Sequence, residues 1–489
     1  MMLRLFCFKA VSQVRHFNKA YHVSQHLPKL PSSCTAGLKL VLFVSFLVFP
    51  FPALWADTHI ANSCSLPDVQ AAYNAAGAGD HIAIPAGHCT WSSYLTIDKA
   101  ITIQGSGSSS TTIITAGTSK LIYINLSSDV PVRITGLYFS QDLGTTPVSG
   151  YETAIYINGR MNNSFALTQI RIDHNTFKGG TSVIWANGWI ESLIDSNTFI
   201  DADRAILIEG DESYAWARTI AAGTSHALFI ENNTFTADNS VNWILNQPIY
   251  HQGGGRSVTR YNTFDYSAYT NGDATFFDSH GNSNYYTGGA DIRGQPILEI
   301  YNNTFHANHT YQFIGIRGGS SLIYNNTLIY DANVGYAIWF TEEEAWQTVL
   351  FHPLRAAWPA QDQIFNTFVW NNTLNGSTIT EIHLSVPNAS CAASSTPYAC
   401  CTGNGTGTCD DYFIEANRDY FMHAPAASGG YTYYTGIRNG GSTIAPTTGD
   451  TGNTAFSASG PNAYYPYTSY TYPHPLRGVQ APQNLQIIK

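Results

Sequence analysis

Seven short apolar runs of the chain end in a polar residue, generally just before glycine: "IYINGR", "IWANGW", "ILIEGD", "IYHQGG", "FDSHGN", "IGIRGG" and, less cleanly, "IWFTEE". Aligned on that residue, they bring Asn158, Asn187, Glu209, Gln252, His280, Arg317 and Thr341 to one position, with Tyr156, Trp185, Leu207, Tyr250, Asp278, Gly315 and Trp339 two residues earlier. Both positions face outward if Ile155, Ile157, Ile184, Ile206, Ile208, Ile314, Ile316 and Ile338 face a core. Aromatic faces beside hydrogen-bonding groups are what the apolar ring faces and hydroxyls of a saccharide require. Tyr156, Asn158, Trp185, Asn187, Tyr250, Gln252 and Trp339 are therefore expected to bind sugar. The competing reading is an ordinary sheet face, its outward residues solvated and its tryptophans packed under a loop.

The groups able to do chemistry in such a strip are Glu209, Asp211, Asp278, His280, Arg293 and Arg317. Eliminative cleavage of a polyuronate needs a base for the proton α to a carboxylate and a cation for the enolate-like charge that forms. His280 or Arg317 would be the base; Arg293, or a Ca²⁺ held by Glu209 and Asp278, would be the cation. Hydrolysis would instead need two carboxylates about 5 to 9.5 Å apart across the sugar, for which Glu209 and Asp278 are the best pair. The leading expectation is an eliminative lyase acting on a uronate-containing glycan. A noncatalytic glycan-binding surface protein is the alternative, and a glycoside hydrolase a further one.

Positioning such a strip requires a scaffold that stacks distant segments. One phrase recurs as "IRIDHNTFKGG", "SLIDSNTFIDA", "LFIENNTFTAD", "SVTRYNTFDYS", "LEIYNNTFHAN", "SLIYNNTLIYD" and "FVWNNTLNGS". Its ladder position falls at Asn175, Asn197, Asn233, Asn262, Asn303, Asn326 and Asn372, with gaps of 22, 36, 29, 41, 23 and 46 residues. A floor near 22 with variable additions is a repeat with insertions. An apolar residue usually lies three before the Asn and Phe or Leu two after it, an odd separation of five. Both can face one core only if the backbone bends between them, and Asn tolerates a left-handed bend. Stacked at strand spacing, ~4.8 Å, the amides would form a ladder. Coils this short leave no room for a helix crossover, so the reading is all-β: a right-handed parallel β-helix solenoid. Long insertions leave just after the strip, at 210–233 and 281–303, where they could wall a groove, and a third, "TEEEAWQTVLFHPLRAAWPAQD" at 341–362, stands at one end.

On the Asn repeat and on "SLPDVQAAYNAAGAGDHIAIPAGHCTWSSYLTIDKAITIQGSG", the chain resembles the right-handed parallel β-helix superfamily of pectin and pectate lyases, polygalacturonases and phage tailspikes, over roughly residues 62 to 385. The resemblance implies the fold and leaves activity open, since the superfamily holds lyases, hydrolases and tailspike-like adhesins. "RIDHNTF" is similar to a pectate-lyase motif that would make Asp173 a calcium ligand, but its place inside the corner repeat points to a structural role. "SHG" at Ser279 to Gly281 is similar to the Gly-His-Gly of polygalacturonases, whose Arg-Ile-Lys motif is missing here.

Residues 1–56 read as a basic lead and signal peptide cut near Ala56, followed by the β-helix at 57–385 and a Gly/Ser/Thr/Tyr-rich cover at 386–489. The protein is thus expected to be secreted or at the cell surface, with no stable membrane insertion after cleavage. The chain carries 23 Lys and Arg and 33 Asp and Glu; without residues 1–56 the balance is 17 to 33, a net charge of −16. That charge argues against nucleic acid as a partner and does not advertise a polyanion either, leaving a local basic cleft open; the polysaccharide expected as partner rests on the strip. In an oxidising compartment Cys64 and Cys89 should bridge, pinning a helix capped by Ser65 over the open first coil. Cys391, Cys400, Cys401 and Cys409 should form two bridges of undetermined order, with a metal site as the rival reading.

Overall fold

The seven Asn motifs are corners of successive coils. In the computed structural model the described residues are 56–116, 119–141, 153–159, 165–211, 215, 222–237, 247–270, 274–280, 294–341, 364–384, 414, 416–417, 419–426 and 467–478. The basic lead, Arg293, residues 342–363 and the four cysteines from Cys391 to Cys409 lie outside them. Asn175, Asn197, Asn233, Asn262, Asn303, Asn326 and Asn372 are buried and joined end to end, each Nδ2 donating to the next Oδ1 at 2.9–3.1 Å. The same Oδ1 atoms also accept the backbone N–H of the preceding ladder Asn.

The bend and the ladder, expected of a single Asn, are divided between neighbours. The residue before each ladder Asn takes the left-handed conformation: His174, Ser196, Asn232, Tyr261, Asn302, Asn325 and Asn371, with φ between 53° and 58°. One coil earlier Gly136, at φ 69°, makes the bend and Leu137 stands where the ladder ends, its N–H donating to Asn175 Oδ1 at 3.1 Å. The bend solves the parity problem: Ile172 and Phe177, five apart, are both fully buried. Phe139, Phe177, Phe199, Phe235, Phe264 and Phe305 then stack in one file, centroids 4.4–5.1 Å apart and planes within 11°.

Three faces surround this core. The first is a 12-stranded sheet running from Thr58–Ile60 to Tyr420–Phe421 and containing the strands that enter each Asn corner. The second holds the Phe file, in strands such as Thr176–Lys178 and Thr198–Ile200. The third holds the strands that end in the polar strip, among them Thr153–Gly159, Ile184–Gly188, Ile206–Glu209, Ile249–Gln252 and Ala274–Ser279. The second and third merge where Thr304–Ile316 and Thr327–Phe340 run through both without a break. Pairing between strands is parallel throughout, save for the small hairpin of Thr373–Leu374 with Ser377–Thr378. The architecture is a right-handed parallel β-helix, as the repeat predicts.

The open first coil is closed by the helix Leu66–Ala75, with Ser65 as N-cap, Pro67 in the first turn and Val69, Ala72 and Tyr73 buried. Cys64 and Cys89 are bridged across 25 residues. At the other side, residues 467–478 lie on the outer surface of the first face. Arg477 donates to Asp195 and Ser196, Arg260 donates to the carbonyls of Tyr470 and Thr471, and Tyr467 donates to Glu299. Beneath them runs a file of buried ion pairs, Arg133–Asp173, Arg171–Asp195 and Arg260–Glu231, at 2.6–2.8 Å. Asp173 is consumed there: fully buried, it accepts two hydrogen bonds from Arg133. Its role is structural.

The buried side chain of Asn262 makes three donor contacts through Nδ2 and two acceptor contacts through Oδ1, so its loss strands several polar groups at once. Asn262→Ala is expected to destabilise the protein by about 3 kcal/mol, read as a lower denaturation midpoint. Asn375→Ala, at an exposed site beyond the ladder, should cost well under that.

Candidate functional site

The strip is a true column. Tyr156, Trp185, Leu207, Tyr250, Asp278, Gly315 and Trp339 are successive register partners on the third face, and Asn158, Asn187, Glu209 and Gln252 pair in the same way. The pattern continues through the N–H of His280 to the His251 carbonyl, of Arg317 to Ser279 and of Thr341 to Ile316, each at 3.0 Å. The alternating isoleucines are buried in the core as expected. Glycine follows the column because the turn is tight there: a Cβ on Gly210 would lie 2.4 Å from the Gly253 carbonyl oxygen. Asn158, Asn187, Tyr250, Asp278 and Trp339 are all buried, so the strip is not a solvated sheet face; burial is also what the competing reading of rings packed under covering chain expects.

The column begins earlier than the alignment placed it. Tyr123 pairs with Tyr156, and the ring file runs Tyr94, Tyr123, Tyr156, Trp185 at centroid spacings of 5.0–6.0 Å. Asn158 Nδ2 donates to the Tyr123 hydroxyl (2.9 Å) and to Asn125 Oδ1 (3.0 Å), and Asn187 Nδ2 donates to the Tyr156 hydroxyl (2.9 Å). The signal was present, because "LIYIN" at 121–125 spells the same pattern as "AIYIN" at 154–158.

Farther along, the polar groups converge on one atom. Asp278 is fully buried, and its Oδ2 accepts from Gln247 Nε2 (2.8 Å) and Arg317 Nη2 (3.1 Å) and lies 3.2 Å from His280 Nε2. Burial alone would push this carboxyl up; Arg317 and His280 beside it more than offset that and hold it at about 2. Around the hub, Tyr250 lies 4.8 Å from the His280 ring, Arg204 sits over Tyr250 at 4.4 Å and Arg317 over Trp339 at 5.5 Å. Arg204 donates to Gln247, so two arginines are tied to the same carboxylate, one of them through the amide. Arg204 and Gln247 stand two residues before Ile206 and Ile249, the paired first residues of adjoining column strands, a position that the aligned segments do not reach. Tyr311 and Tyr336, also outside the alignment, stand 6.0 and 6.4 Å from Trp339.

Glu209 stands apart from the hub. Its Oε2 accepts from Trp185 Nε1 and Asn187 Nδ2, both at 3.0 Å. The Tyr250–Gln252 coil lies between it and Asp278, so the two carboxylates are two coil rises, ~9.6 Å, apart along the axis. Asp211 is not in the column; it lines a half-open cleft just beyond it, with Trp189, Glu191, His226 and Arg256. Arg293 lies outside the described residues. On the inner side of the same strands His251 replaces an isoleucine, its Nε2 2.7 Å from Ser257 Oγ, and burial pushes it down to about 3. It is neutral and serves the core.

Among the described residues no cluster of three or more His, Cys, Asp or Glu side chains is placed to hold a metal ion. Glu209 and Asp278 do not fit the calcium reading in this arrangement, since they stand in non-adjacent coils and each carboxylate oxygen named above is already taken by N–H donors.

Asp278 titrates lower in the folded chain than in the unfolded one, so its contribution is present above pH 4 and is lost as pH falls toward 2. That contribution is about 2 kcal/mol. Unfolding of the wild type should therefore become easier between pH 4 and pH 2, and Asp278→Asn should flatten this slope; an unchanged slope would contradict the hub.

No family model matches the chain, and no curated protein matches its sequence. Among solved structures it is similar to a PL6 family alginate lyase, AlyGC, at 14% identity and a TM-score of 0.35, over 65% of this chain and 40% of that one. It is also similar to the ORF18 protein of Geobacillus virus E2, at 15% identity and a TM-score of 0.30, over 75% of this chain and 63% of that one. The chain thus spans less than two thirds of the length of either protein, and the fold rests on its own strand pairing.

Proposed function

We propose that this is a secreted, polysaccharide-active protein that cleaves a uronate-containing glycan by elimination along the third face. The observation that carries the reading is the Asp278 hub, where one buried carboxylate orients a histidine and an arginine beside aromatic rings. Asp278 fixes Nε2 as the proton-bearing nitrogen of His280, so Nδ1 is the basic position of the ring. In the proposed reaction His280 removes the proton α to the uronate carboxylate. Arg317 holds that carboxylate and the charge that builds on it. The electron pair forms the new double bond and expels the glycosidic oxygen, which takes up a proton. No step passes through a cation other than the protein's own.

Charge supports an anionic substrate. Arg204 and Arg317 outnumber Asp278 at the hub, a local positive balance that can take an anionic group although the chain as a whole is net −10. Hydrolysis would have to use Glu209 as the acid and Asp278 as the ionised partner two coil rises, ~9.6 Å, away along the axis, at the outer edge of the spacing which that chemistry uses. The alternative, glycan binding without chemistry, draws on the hydrogen-bonded amide and tyrosine strip from Tyr123 to Glu209.

Incubation with uronate polymers should release unsaturated products that absorb in the ultraviolet, and His280→Ala or Arg317→Ala should slow this by roughly 10²- to 10⁴-fold. Retention of glycan with no product would establish the binding reading instead. Reducing ends without absorbance would mean hydrolysis.

A further inference from the structure

One position of the column is filled by a side chain from outside its alignment. Gly315 stands in register between Asp278 and Trp339 and has no side chain to contribute. The amide of Gln312 turns into that place: a Cβ on Gly315 would lie 2.6 Å from Gln312 Cδ. Gln312 is fully buried, yet neither its Oε1 nor its Nε2 has a hydrogen-bond partner among the described residues. On the adjoining coil Asp278 Oδ1 is likewise buried and unpaired, while Oδ2 takes the contacts of the hub. Buried polar groups are almost always paired, so an orphaned amide on the rung next to an orphaned carboxylate oxygen is unfavourable in the free protein. Proteins keep such unfavourable groups where function needs them.

Exposed rings border this rung. Tyr311, 46% exposed, stands 6.0 Å from Trp339 and 5.6 Å from Tyr336, and Tyr336 stacks on His383 at 3.8 Å. Burial, Tyr336 and Asp278 push the Tyr311 hydroxyl up and Arg317 draws it down, so this ring stands within the field of the hub.

We propose that Gln312 and Asp278 Oδ1 together recognise one hydroxyl of the sugar at the hub, while the ring of Tyr311 stacks on that sugar's apolar face. The proposal rests on the reading of the hub as the place where a uronate reacts, and it adds the groups that decide which uronate is accepted. A hydroxyl can accept from Gln312 Nε2 and donate to Asp278 Oδ1 at once. A carboxylate cannot donate and is repelled by Asp278; an O-acetyl ester has no proton to give. A site built to bond a hydroxyl rejects the analogue that lacks it, so the protein discriminates against glycans acetylated at this position. Gly315 belongs to the device, because a side chain there would take the place of the amide.

The test is binding to full-length protein in the His280→Ala background, which removes turnover. Polygalacturonate and alginate serve as separate probes, each unmodified and O-acetylated. The parent should bind an unmodified polymer more tightly than its acetylated form. Gln312→Met keeps the length and removes both polar atoms; it should weaken binding of the unmodified polymer by about tenfold, spare the acetylated form and raise the denaturation midpoint of the free protein. Gly315→Ala should give the same loss by displacing the amide. Tyr311→Ala should weaken both forms alike, and Tyr311→Phe neither. Equal affinity of the parent for both forms, or a Gln312→Met protein whose affinities are unchanged or fall equally for both, overturns the hydroxyl site while leaving the uronan reading standing. If the parent binds neither polymer in either form, the uronan reading itself falls and the site with it.

Discussion

Vertical register is the constraint on which the rest of this structure depends. A coil of a parallel β-helix can slide over its neighbour by two residues and still bury apolar side chains, so burial alone does not fix which residues align. The asparagine ladder does. Each ladder amide meets the next only when the coils are in step, and a misplaced one leaves buried donors and acceptors unpaired, at a cost of about 1–3 kcal/mol each. The Phe file on the second face and the ion-pair file on the first inherit that register. So does the polar column on the third.

The column shows what register can build. Gln247, His280 and Arg317 are 33 and 37 residues apart in sequence, yet they arrive from different coils around one carboxylate. Asp278 could not be buried as an isolated charge, and its partners could not be held without it. The C-terminal residues 467–478 lie on the first face and so cover the ion-pair file.

Much of this was legible from spacing. The odd interval between Ile172 and Phe177 required a bend, and the identical spelling of seven segments required stacking. The rung assignments at Asn158, Asn187, Glu209, Gln252, His280 and Arg317 follow directly, because period-two alternation fixes which side chains leave the core together. Legibility ended where periodicity did. Asp278 reads in sequence as one more outward residue, and only packing shows it to be a buried hub. Arg204 and Gln247 share one offset, two residues upstream of the aligned segments at Ile206 and Ile249, but polar residues before a strand have no apolar alternation to mark them. Glu209 and Asp278 looked like a pair in the list of acids, but a coil separates them. Asp173 shared its motif with a metal ligand elsewhere, and two arginines claim it here.

The most direct measurement is a crystal structure of the His280→Ala protein with a bound uronate hexasaccharide. The account requires density for sugar at the Asp278 hub, with a carboxylate on Arg317. Sugar bound across another face, or a hub left empty at saturating ligand, would contradict it.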